Sequence, residues 1–176
     1  MLCKQGSTPS CLRLKVSVEA SAQNIQQQLG EAWLPRIYRE RILKLRTRSY
    51  HFEHPNASAR VVIQHTLLGV ELKIGRRRLL CPDLATARYL SVFARIGCSD
   101  VAVPYDITKI SHLADELESS WYRMLLLVEQ EGRAESARLK GRLRGLLLAK
   151  IRAEIVEAGA GTRVPEFRQS TKQRST

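Results

Sequence analysis

No run of apolar residues in this chain exceeds the five at 124–128, Met-Leu-Leu-Leu-Val. A bilayer span takes roughly 20 such residues, so no transmembrane helix is expected. The opening residues, Met1-Leu2-Cys3-Lys4-Gln5-Gly6-Ser7, carry a lysine with no apolar segment behind it. That pattern is not a secretory signal, and the expected location is cytoplasmic. Cysteine is scarce and irregular: Cys3, Cys11, Cys81 and Cys98 form no CxxC pair, so structural-zinc spacing is missing. Cys81 and Cys98 lie in apolar stretches and read as buried free thiols. The phosphate loop, the dinucleotide fingerprint, the nucleophile elbow and the HExxH helix are all absent. Four scattered histidines suggest no triad, and aromatics at 6% are too few for a base-stacking sheet of the RRM kind.

What the chain has is positive charge. Its 29 Lys and Arg against 17 Asp and Glu leave +12. Residues 1–50 hold 9 basic and 3 acidic side chains (+6), residues 51–131 hold 9 and 10 (−1), and residues 132–176 hold 11 and 4 (+7). A near-neutral centre between cationic ends attracts polyanions: RNA, DNA or an anionic membrane surface.

At 176 residues and 44% apolar, the chain supports one ordinary core. The expected organisation is a loosely ordered segment 1–20, an α/β core 21–131, a basic helix 132–160 and a disordered tail 161–176. Leu12, Leu14, Val16 and Val18 alternate with polar residues, which predicts a short strand. Residues 45–52, 60–68, 70–74 and 78–81 read as strands, with Gly75-Arg76 closing a hairpin. After Pro82 the period changes. Asp83 caps a helix that Gly97 stops, residues 101–103 form a short buried strand, and Asp106 caps a helix with Ile110, Leu113, Leu117, Trp121, Met124 and Val128 on one face. A last helix from about 135 to 158 lines up Leu139, Leu143, Leu147, Ile151 and Ile155. The fold class is therefore α/β or α+β: a single small mixed sheet within about 43–104, packed by helices, with long C-terminal helices.

Three constellations could carry chemistry. Glu71 and Lys73 are two apart on a strand and share a face. A carboxylate there would help hold a divalent ion, and the lysine would orient water or stabilise developing charge. Asp83 and Asp106 each follow a short apolar strand and precede a helix, an arrangement that suits both helix capping and ligand binding at a sheet edge. The third group is basic. Arg76-Arg77-Arg78 occupies the hairpin tip, and Arg138, Lys140, Arg142, Arg144, Lys150 and Arg152 flank the apolar stripe of the last helix. Both suit phosphate contacts.

Glu71-Leu72-Lys73, set between preceding strands and a following helix and strand, resembles the core of the PD-(D/E)xK nuclease superfamily over residues 35–105. The resemblance implies an α-β-β-β-α-β core, catalytic Glu71 and Lys73, and Mg²⁺ or Mn²⁺ as cofactor. Where that family's first acid follows a proline, this chain has Pro55-Asn56, so Glu53 or Asp83 would have to supply the second carboxylate beside Glu71.

The charge favours a non-catalytic or accessory nucleic-acid-binding protein that contacts phosphates without strong sequence readout, with DNA and RNA both open. The alternatives are a metal-dependent nuclease, intact or degenerate, and a protein-interaction module whose C-terminal helix docks on an acidic partner.

Overall fold

The computed structural model describes residues 9–132 and 137–161, with side chains from residue 18 onward. Its first element is helix α1 (Pro9–Leu29). The predicted strand at residues 12–18 is therefore helix. Val18, Ala22, Ile25 and Leu29 are buried at helical spacing, and extending an existing helix costs far less than nucleating one. The expectations for residues 1–8 and for the tail from 162 lie outside the described residues.

A short 3-10 turn leads into α2 (Leu34–Ile37), which starts with Pro35 in its first turn and runs into a π turn over Tyr38–Ile42. Strands β1 (Thr47–His51), β2 (Val61–Thr66), β3 (Gly69–Ile74) and β4 (Arg77–Cys81) follow. Then come α3 (Leu84–Ile96), β5 (Asp100–Pro104), α4 (Ile107–Glu131) and α5 (Ala137–Ala158).

The mixed α/β class holds, but the strands form two sheets where one was expected. β2, β3 and β4 make an antiparallel meander, and among the described residues β1 pairs only with β5, also antiparallel. The cause is local. Two-residue turns at Leu67-Leu68 and Gly75-Arg76 let the middle strands pair with their immediate neighbours. β5 is reached only after α3, and it lies on β1 in the interior. The single α-β-β-β-α-β sheet implied by the nuclease resemblance is thus divided between two sheets.

The expected caps are in place. Asp83 Oδ1 accepts from the Thr86 backbone N–H at 2.7 Å and Asp83 Oδ2 from Thr86 Oγ1 at 2.9 Å. Asp106 Oδ1 accepts from the Thr108 backbone N–H at 2.9 Å. Gly97 closes α3 at φ 80°, where L side chains are strained. A Cβ there would also lie 2.7 Å from the Ala57 backbone nitrogen, so glycine lets the 52–60 loop press against the end of α3.

One core joins all the helices. Leu117, Trp121 and Met124 of α4, Phe93 and Ile96 of α3, and Leu143, Leu147, Leu148, Ile151 and Ile155 of α5 are buried together with β5. Each such side chain contributes roughly 1.5–3 kcal/mol of burial free energy. At the centre, the Tyr38 hydroxyl accepts from the Ala102 N–H at 2.8 Å and donates to the Gly159 carbonyl at 2.7 Å. Tyr89 donates to the Ala102 carbonyl at 2.6 Å. Two tyrosines thus tie the π turn after α2, helix α3 and the residue just past α5 to Ala102 of β5. Among the described residues no helix is long and apolar enough to cross a membrane.

Candidate nucleic-acid interface

The turn after β3 carries Arg76, and β4 opens with Arg77 and Arg78; all three are exposed. Strand alternation sends Arg77 and Arg78 to opposite faces of the meander. Arg77 is ion-paired with Glu53 across the gap to the 52–60 loop. Arg78 reaches toward Glu71 on the other face, at 3.9 Å. Arg76 has no ion-pair partner among the described residues.

That division decides where the sequence-predicted acids stand. Glu71 and Lys73 do share a face of β3, opposite Leu80 and Arg78 of β4. Glu71 is buried, and its Oε2 has no hydrogen-bond partner among the described residues. Glu53 is committed to Arg77, on the far side of the strand from Glu71. Both Asp83 oxygens are taken by Thr86. Among the described residues, no three His, Cys, Asp or Glu side chains are grouped to hold a metal ion.

The arginine turn instead forms one wall of a cavity of about 550 Å³. The other walls are Tyr50, His51, Phe52, Glu53, His54, Asn56 and Ala59 from the end of β1 and the loop that follows, with Leu72, Ile74 and Leu79 as its apolar floor. This volume lies in the ordinary range for ligand sites. Tyr50 and Phe52 meet edge-to-face at 4.9 Å. Burial pushes the Tyr50 hydroxyl above its usual range. His51 Nδ1 lies 2.9 Å from Asp100 Oδ1, its partner across the β1–β5 pair.

A second groove of about 580 Å³ lies beyond the same loop. Residues 55–59 form one side, and Gly141, Arg144, Gly145, Leu148 and Arg152 of α5 form the other. Asn56 and Ala59 line both hollows, so the loop is a ridge with guanidinium groups on each flank. Arg144 is exposed and sits 5.8 Å over the Trp121 ring, which orients it without a carboxylate. Of the other basic residues singled out on α5, Arg138 and Arg142 are exposed along the helix. Lys140 is paired with Glu129 at 2.7 Å and Lys150 with Gln26 at 2.5 Å.

The structure therefore brings together the arginine turn and part of the basic helix, which the sequence left 66 positions apart at Arg78 and Arg144. Sequence reading missed the contributions of His51, His54, Tyr50 and Phe52. The only available signal was their clustering in one short stretch that ends in a proline turn. Cys81 and Cys98 are buried thiols, as expected. Burial raises both, Cys98 to about 12, which makes a reactive thiolate unfavourable there. No protein-family model, curated protein or solved structure matches this chain.

Proposed function

We propose that this protein binds nucleic acid through its phosphate backbone, with the ridge at residues 55–59 seated between two arginine-lined grooves. One observation carries the reading: Arg76 and Arg77 line one flank of the ridge, and Arg144 and Arg152 line the other. Guanidinium groups match phosphate oxygens in geometry and keep their charge at any working pH. Contacts of this kind position a backbone and carry little base information. The cationic ends of the chain add a longer-range attraction.

The test is a binding titration of the full chain with labelled single-stranded and duplex RNA and DNA across a salt series. Binding should be sequence-tolerant and should weaken steeply with salt, because each phosphate contact releases counterions. Replacing Arg76 and Arg77 together by alanine should lower the dependence of log K on log salt by about 1.4–1.8 units, near 0.7–0.9 per contact. Absence of a complex with every nucleic acid at low salt refutes the reading.

A further inference from the structure

The first groove holds more than a phosphate binder needs. Two imidazoles, His51 and His54, line the same cavity as Arg76 and Arg77 and the Tyr50 and Phe52 rings. His51 is held by Asp100 across the strand pair at 2.9 Å. An ionised carboxylate on Nδ1 fixes the proton there and leaves Nε2 as the basic nitrogen. His54 stands at φ 53°, the one non-glycine residue at positive φ among the described residues. Local backbone strain of this kind clusters at functional sites, and here it sets the second imidazole at the cavity wall. Tyr50, half-buried and backed edge-to-face by the buried Phe52, offers ring surface for a base.

We infer that this groove cleaves RNA by metal-independent transesterification, with His51 and His54 as the acid–base pair. The inference rests on the binding reading above and adds chemistry to it. Imidazole catalysis of this kind needs a nucleophile already on the substrate. The RNA 2′-hydroxyl supplies one, and DNA has none. His51 Nε2 takes the proton of the 2′-hydroxyl as its oxygen bonds to phosphorus. The bond from phosphorus to the 5′ oxygen of the next nucleotide breaks with its electron pair, and the His54 imidazolium gives that oxygen its proton. The products are a 2′,3′-cyclic phosphate and a free 5′-hydroxyl. No oxidant, reductant or water is consumed, and the two imidazoles return to their starting states by proton exchange with solvent. The arginines stabilise charge developing on the phosphoryl oxygens. Asp100 is a positioning residue that acts through His51.

The experiment incubates the full chain in EDTA with end-labelled single-stranded RNA, the matching DNA and the matching 2′-O-methyl RNA. Binding to the 2′-O-methyl RNA is measured in parallel. The expected result is cleavage of RNA alone, with cyclic-phosphate ends. His51→Ala and His54→Asn (asparagine also tolerates positive φ) should each slow cleavage about 100-fold or more while still binding 2′-O-methyl RNA. Asp100→Asn should lower kcat about tenfold or more with KM unchanged. Binding to 2′-O-methyl RNA without any RNA cleavage overturns this inference and leaves the binding proposal standing. So does cleavage that EDTA abolishes, or cleavage that survives both histidine replacements. Failure to bind any of the three nucleic acids overturns the binding proposal on which the inference rests.

Discussion

β5 buries four of its five residues, whereas β2 buries none of its six and β4 only one of its five. The first strand is a structural rod. Its Ala102 backbone is held on both polar groups by tyrosine hydroxyls, and helices cover it. The meander is a surface element. It rests on the core through Leu72 and Cys81 and presents arginines and, at Leu67 and Leu68, fully or largely exposed leucines. The lesson is a separation of duties. Stability is concentrated around β5 and the helices, and the groups available for binding are concentrated on the meander, on the loop before it and along one side of α5. Variants in the two regions should therefore fail in different ways.

The largest expected effect is in the core. Phe93 is fully buried and packs on Tyr38 and Tyr89 at ring distances of 5.7 and 5.2 Å. Phe93→Ala should cost about 3–5 kcal/mol in a urea unfolding titration. A cost below about 1 kcal/mol would break the comparison, because it would mean that this region is not the stabilising one. Tyr38→Phe comes next. It strands the buried Ala102 N–H and the Gly159 carbonyl, and should cost about 1–3 kcal/mol by the same measurement.

Alkaline pH attacks the same region. Burial holds the Cys98 thiol at about 12 against an ordinary 9.0, and the Tyr38 hydroxyl at about 12 against an ordinary 10.0. Both keep their protons in the folded protein after the unfolded chain has lost them. Their stabilising contribution is complete below about pH 9 and falls as pH climbs toward 12. Urea midpoints should drop between pH 8.5 and pH 11, and Cys98→Ala should make that fall shallower. An equal fall in the variant would contradict the assignment to Cys98.

The smallest stability effect belongs to the arginine turn. Replacing Arg76 and Arg77 with alanine should shift unfolding by no more than about 0.5 kcal/mol per residue, because both are exposed and the Arg77–Glu53 pair is a surface pair. The same change should remove most of the binding. Loss of folding in that variant would blur the two regions into one.

Much of the scaffold was legible in the sequence because its signals are local. The Asp83 and Asp106 caps, the Gly97 stop, the apolar stripe of α4 and the Gly75-Arg76 turn each lie within a few residues of what they control. The period-two run at residues 12–18 misled for the same reason: seven residues of alternation were outweighed by a helical stripe running on to Leu29. The partition into two sheets was not legible, since the β1–β5 pairing joins segments about 50 residues apart and depends on how α3 packs. The site was legible in part. The arginine cluster is a run of three identical residues. The His51–Asp100 contact, the Tyr38 junction and the approach of residues 55–59 to α5 are products of tertiary packing and leave no short-range trace. Glu71 and Lys73 share a face as their spacing requires, but which acid lies near Glu71 depends on the register of β4, and that register sends Glu53's partner Arg77 to the opposite side.

The most direct test of the separation of duties is amide hydrogen exchange on the full chain with and without a saturating single-stranded 2′-O-methyl RNA. Protection should rise at residues 52–60, at 74–79 and along 141–152, and should stay unchanged in β5 and in the buried turns of α3 and α4, which are already slow without ligand. Protection confined to Leu67-Leu68 or to the exposed side of α4, with residues 52–60 and 74–79 unchanged, would contradict the account.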